Sequence, residues 1–192
     1  RAASPPPTSK ESFMAMQLRE KALNLLGRFY GYRSFRPGQF EVIEAVASGR
    51  DAVVLLPTGG GKSLCYQLPS LLAPRGIGIV VSPLIALMQD QTAALMANGI
   101  PAAALNSNQD EAYNRSVMDA ARSGNLRLLY TSPERLIQSF EWFKTLDISL
   151  FAIDEAHCIS QWGHDFRPVY TDLARIKNEI PGVPVIALTA TA

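Results

Sequence analysis

Six short apolar runs, set between segments whose apolar residues recur at helical spacing, limit the possible folds of this chain more than any other feature. The runs are Asp51–Leu56, Gly76–Ser82, Ala102–Leu105, Leu126–Thr131, Ser149–Ile153 and Val185–Thr189. A strand with one wet face alternates polar and apolar residues; these runs do not, so they are expected to be buried on both faces. The spacing predicts helices over Ala15–Tyr30, Gln39–Ala47, the stretch after a Gly-rich turn at Leu56, Leu84–Ala97, Glu111–Arg122, Glu134–Phe140 and Val169–Ile180. In the first of these, Leu18, Ala22, Leu25, Leu26 and Phe29 fall on one side, and Gly31 ends it. Such alternation implies an α/β fold, a mostly parallel sheet with right-handed crossovers and helices on both faces. Ligands in folds of this kind sit at the carboxyl ends of the strands.

A length of 192 residues suits one domain. Pro5, Pro6 and Pro7 mark a flexible leader, taken as residues 1–14, ahead of a domain over 15–192. No apolar run approaches the roughly 18 residues of a membrane span and no signal core opens the chain, so no membrane role is expected. Cys65 and Cys158 form no CxxC pair, which argues against a disulfide framework or zinc ribbon and for an intracellular, reducing setting. Eighteen Lys and Arg against 17 Asp and Glu give a net charge of +1. Any nucleic-acid contact must then come from local patches and not from bulk charge.

The chemistry is looked for just after each strand. Leu56-Pro57-Thr58-Gly59-Gly60-Gly61-Lys62-Ser63 lies where a strand hands over to a helix, the setting of a phosphate-binding P-loop. Thr58 and the three glycines turn backbone N–H groups toward one point, Lys62 adds a mobile charge, and the Ser63 hydroxyl suits Mg²⁺. Leu56 replaces the first Gly of the longer P-loop pattern. The run Leu150-Phe151-Ala152-Ile153 then ends in Asp154-Glu155. A carboxylate there can hold Mg²⁺ while its neighbour orients an attacking water, so Asp154 is assigned the metal and Glu155 the water. Together these two elements predict an NTPase.

Asp154-Glu155-Ala156-His157 is a DEAH box, and its continuation Cys158-Ile159-Ser160-Gln161-Trp162-Gly163-His164-Asp165-Phe166-Arg167-Pro168 closely resembles the aromatic-rich loop of RecQ-type DNA helicases. Phe35-Arg36-Pro37-Gly38-Gln39 is similar to motif 0 of that family, and Leu56 to Pro69 to its motif I. Val81 to Gln91 resembles motif Ia, Tyr130 to Leu136 motif Ib, and Ala187 to Ala192 motif III. The resemblance implies a RecA-like P-loop NTPase fold and an ATP-dependent motor that moves 3′ to 5′ on single-stranded and partly duplex DNA. Carried over by position, it implies adenine recognition by Tyr32, Arg36 and Gln39, although Tyr32 packing and Gln39 capping would also account for these residues.

Ser82-Pro83 and Ser132-Pro133 suit an N-cap and first helical position, and both helix starts are candidates to follow a DNA backbone. Gln161, Trp162, His164, Phe166 and Arg167 offer stacking faces and phosphate charge, and are read as a DNA-sensing loop or, more plainly, a packed aromatic loop. Thr189 and Thr191 could hydrogen-bond toward His157 or satisfy strand-end backbone. His157, Cys158 and His164 lack the four compatible ligands of a zinc site, so no zinc is expected. The resemblance further implies that a second motor lobe with an arginine finger, and a zinc module, lie outside residues 1–192. The lobe by itself is then expected to be a monomer that turns ATP over weakly or not at all. A P-loop switch or RNA-remodelling ATPase is the alternative, and it leaves Gln161 to Arg167 unexplained.

Overall fold

The computed structural model describes residues 9–57, 61–156 and 174–190. Its strands are β1 (Ala52–Leu56), β2 (Ile77–Val81), β3 (Ala102–Leu105), β4 (Leu128–Thr131), β5 (Ile148–Ile153) and β6 (Val185–Ala190). Its helices are α1 (Lys10–Tyr30), α2 (Gln39–Ala47), α3 (Leu64–Leu72), α4 (Ile85–Ala97), α5 (Glu111–Arg122), α6 (Pro133–Gln138) and α7 (Phe140–Phe143), with residues 174–179 also helical. The strands form one sheet in the order β1-β6-β5-β2-β4-β3, and every pairing is parallel. All six carboxyl ends therefore open on one edge.

Five of the apolar runs supply buried side chains to both faces, as their lack of alternation requires. The sixth, β1, corrects the expectation: at the edge of the sheet it buries Val54 and leaves Val53 and Leu55 exposed, at 75% and 62%, so only one of its faces is covered. On one face Val80, Tyr130, Ala152 and Ile186 pack against Val46, Cys65, Met88 and Leu95 of α2, α3 and α4. On the other, Ile79, Val81, Phe151 and Val185 meet Val117 and Ala121 of α5, with Leu136, Phe140 and Ile176. A third cluster lays Ala22 and Leu26 of α1 on Phe40 and Ile43 of α2 and on Leu64 and Leu68 of α3. Among the described residues no helix is long and apolar enough to cross a membrane.

Two long-range polar ties hold the layers in place. Arg127, just before β4, points one guanidinium nitrogen at the carbonyls of Ser70, Leu71 and Ala73, at 2.8, 3.2 and 2.8 Å, and so caps the C-terminus of α3. Asp51, just before β1, accepts from Val185 N–H at 2.8 Å and Lys177 Nζ at 2.9 Å, which joins the first strand to the last.

Three further sequence expectations are corrected. Residues 10–14, assigned to the flexible leader, are helical, because Ser9 accepts from Ser12 N–H at 3.1 Å and caps α1 from within the polar stretch. The helix expected over Glu134–Phe140 is two, parted at Ser139, whose φ of −114° and ψ of 22° break the turn. Ser82 does not cap α4: the chain bends at Pro83, Leu84 is extended, and Ser82 Oγ accepts from Leu84 N–H at 3.3 Å in a local turn.

Candidate active site

The P-loop turn sits between β1 and α3. Gly61 has φ of 78°, Lys62 and Ser63 continue the turn, and α3 starts at Leu64 with no capping bond from the Ser63 side chain. Gln39 supports this turn from behind. It is 2% exposed, its Oε1 accepts from Arg36 N–H at 2.8 Å, and its Nε2 donates to the Gly61 carbonyl at 3.1 Å. A Cβ on Gly61 would run into Gln39 Nε2, so a glycine is required here both for its left-handed backbone and for the close approach.

The Asp-Glu pair closes the opposite side. Asp154 N–H donates to the Val81 carbonyl at 2.8 Å, which extends the β2 and β5 pairing by one residue and holds Asp154 at 4% exposure. Asp154 Oδ1 accepts from Glu155 N–H at 2.9 Å. Among the described residues Glu155 is the one non-glycine with positive φ, at 51°. Backbone in that region costs about 1–3 kcal/mol and tends to persist where a site needs it. Here it turns Glu155 toward the P-loop, where Glu155 Oε1 accepts from Lys62 Nζ at 3.4 Å.

These residues line one cleft of about 450 Å³. Tyr32, Arg36 and Gln39, the P-loop residues Gly61, Lys62 and Ser63, and Asp154 with Glu155 all contribute to its lining. Tyr32 is half exposed, the usual state of a ring available for stacking. Sequence reasoning missed five lining residues, Tyr30, Ser34, Leu64, Leu87 and Gln91. Tyr30 and Leu87 read as helix-face residues, and the only signal for Gln91 was its place at the end of the block resembling motif Ia. Cys65, behind the P-loop, is fully buried, and burial pushes its thiol up to about 12.

The model of the DEAD/DEAH box helicase family matches residues 36–192. This chain belongs to that family. It is 50% identical over 186 residues to the ATP-dependent DNA helicase RecQ of Pasteurella multocida, covering 96% of this chain and 29% of that protein. To the RecQ of Haemophilus influenzae it is 51% identical over 173 residues, covering 89% and 28%. The chain thus spans under a third of the length of these relatives. Among solved structures, the Mycobacterium smegmatis helicase Lhr bound to single-stranded DNA and AMP-PNP matches with a TM-score of 0.65 at 21% identity, covering 87% of this chain and 25% of that one. That likeness shows a RecA-like α/β helicase fold.

Within this helicase lobe the DNA-side candidates are distributed along the same sheet edge. Ser132 is the N-cap of α6, with Pro133 in the first turn, and its Oγ accepts from Arg135 N–H at 3.2 Å. Ser82 and Ser132 are both 2% exposed at the ends of β2 and β4, adjacent strands. Thr189 is half-buried near the end of β6, in register with Leu55 of the strand that leads into the P-loop. Thr58, Gly59, Gly60, His157, Gln161, Trp162, His164, Phe166, Arg167 and Thr191 lie outside the described residues.

Proposed function

We propose that this chain is the first motor lobe of an ATP-dependent DNA helicase of the RecQ type, and that the cleft between the P-loop and Asp154-Glu155 binds MgATP. The observation that carries the reading is the Lys62–Glu155 contact, which brings two chemically complementary elements, far apart in sequence, to one cleft. Tyr32, Arg36 and Gln39 supply an aromatic face, a guanidinium and an amide for adenine on the adjoining wall. Thr58, Gly59 and Gly60 complete the phosphate loop.

The Ser63 hydroxyl and the Asp154 carboxylate are two hard oxygen donors on the same cleft, a set that suits Mg²⁺, which keeps its other positions for water and phosphate. When bound, the ion neutralises charge on the phosphates. Lys62 holds and orients the transferred group, and Glu155 takes a proton from the attacking water. His157 and Thr189 with Thr191 are assigned the link from this site to the DNA side. The chain at Ser82 and Ser132, whose side chains are buried, is assigned to the backbone of single-stranded DNA through neighbouring main-chain N–H groups, and the loop carrying Gln161, Trp162, His164, Phe166 and Arg167 reports its presence. The relatives named as DNA helicases support DNA over RNA as the track.

A second lobe supplies the arginine that completes hydrolysis, so an intracellular parent protein unwinds partly duplex DNA 3′ to 5′ while this lobe alone is a monomeric half-site without zinc. Equilibrium titration with MgATP and hydrolysis assays with and without single-stranded DNA test this. Lys62→Ala should weaken MgATP binding roughly 10- to 100-fold, the scale of one charge-assisted contact. Unchanged binding in that variant would sink the assignment. DNA-stimulated turnover by the lobe alone, lost in Trp162→Ala, would overturn the half-site view.

A further inference from the structure

Tyr30 and Gln91 both line the nucleotide cleft, and a continuous chain of buried hydroxyl and amide groups joins them. Tyr30 Oη donates to Gln67 Oε1 at 2.8 Å, and Gln67 Nε2 donates to Tyr130 Oη at 3.0 Å. Tyr130 Oη and Tyr66 Oη are 3.1 Å apart, and Tyr66 Oη donates to Gln91 Oε1 at 2.7 Å. A phenol carries one proton. Tyr66 commits its proton to Gln91, so Tyr130 is the donor between the two phenols. Every bond then runs in the same sense, from Tyr30 to Gln91.

The interior members are nearly sealed, with Tyr66 at 0%, Tyr130 at 1% and Gln67 at 5% exposure. An apolar core would be simpler to build, since a half-satisfied polar network is worse than none. What sets this network apart is where it ends. Neither end stops in the core; both reach the cleft. Burial above all raises the Tyr130 and Tyr66 phenols above the ordinary value, so both remain protonated donors.

The members also come from elements that carry the phosphate-site candidates. Tyr66 and Gln67 lie in the first turn of α3, straight after Lys62 and Ser63. Tyr130 is in β4 ahead of Ser132, and Gln91 is in α4. Because Tyr66 Oη holds the carbonyl oxygen of Gln91, the orientation of that amide is fixed, and its NH₂ is the arm left to serve a ligand. An anion is served by N–H donors, not by a carbonyl.

We propose that Gln91 contacts the β- or γ-phosphate in the nucleotide cleft, and that Tyr66, Tyr130 and Gln67 are positioning residues that hold its amide with the NH₂ toward those phosphates. This rests on the reading of the cleft as the MgATP site. It adds a contact from α4 to a phosphate site otherwise built from the P-loop and the Asp-Glu pair.

Titrations of the 192-residue chain with MgATP and with AMP test it. Gln91→Glu keeps an acceptor for Tyr66 Oη but replaces the NH₂ by a charged oxygen, and should weaken MgATP roughly tenfold or more while weakening AMP less. Tyr66→Phe and Tyr130→Phe should each weaken MgATP roughly 2- to 10-fold, the scale of one neutral hydrogen bond, again with a smaller effect on AMP. Circular dichroism and thermal midpoints establish that each variant is folded; Gln91→Glu, at a half-buried position, carries the test if a phenol variant is not. If wild type binds MgATP and Gln91→Glu binds it equally well, or loses MgATP and AMP in equal measure, Gln91 does not contact the β- or γ-phosphate. Loss in Gln91→Glu with native affinity in folded Tyr66→Phe and Tyr130→Phe would overturn the positioning role. A wild-type chain that binds no MgATP would overturn the reading of the cleft itself.

Discussion

Gly61 shows how little room the phosphate turn leaves. Its φ of 78° excludes most side chains at low cost, and Gln39 Nε2 occupies the place a Cβ would take while donating to the Gly61 carbonyl. Gly61→Ala should therefore weaken MgATP binding roughly tenfold or more by displacing Gln39 and the turn together, and should cost about 1–3 kcal/mol of stability from the left-handed backbone. Binding equal to wild type in an isothermal titration would contradict this. Gly61, Lys62 and Ser63, and Asp154 with Glu155, were legible in the sequence because their residue types are tied to a strand end, which hydrophobic patterning locates. The left-handed Glu155 was not, since an acidic residue gives no local reason for positive φ. Nor was the Gln91 contact with Tyr66, which depends on α3 and α4 meeting across 25 positions.

At the scale of elements, β3 and α5 were readable to the residue because each carries its own punctuation. Asp110 caps α5 by accepting from Tyr113 N–H at 2.7 Å, and Asn106 to Gln109 form the loop before it. Ser82 was misjudged because Ser-Pro after a strand has two solutions, a cap or a local hydroxyl turn, and the extended Leu84 selects the second. Gly78 in β2 allows a close approach between layers, since an added Cβ would run into the Ser70 hydroxyl of α3 and lie 3.2 Å from Leu128. Gly78→Ala should destabilise the protein by about 1–3 kcal/mol, the usual cost of overpacking. Adding Ser70→Ala removes the hydroxyl and should recover part of the loss in urea unfolding; a double variant no better than the single would place the strain elsewhere.

Across the whole molecule, Asp51 joins the first strand to the last through Val185 N–H and Lys177. The Val185 backbone bond first, and the Lys177 ammonium after burial is set against it, hold this carboxyl below its ordinary value. A group depressed in the folded state adds stability above its unfolded value, near pH 4, and loses it as pH falls through the folded value. Asp51→Asn should thus be less stable than wild type at pH 7 by about 0.5–1 kcal/mol, the scale of an exposed pair. That gap should close in thermal melts between roughly pH 4 and pH 2; a gap that stays constant would mean that charge plays no part.

The sheet order places β6 between β1, which leads into the P-loop, and β5, which ends at Asp154. Two strand spacings, roughly 9–10 Å, therefore separate the backbones that carry the phosphate turn and the carboxylates. A short side chain could not cross that distance; the four-carbon stem of Lys62 does, and meets Glu155 at 3.4 Å. The intervening strand thus works as a gauge block. Its width sets how far apart the cation and the carboxylates stand, and any tilt of β6 at its Thr189 end would widen or narrow the jaws that close on the phosphates.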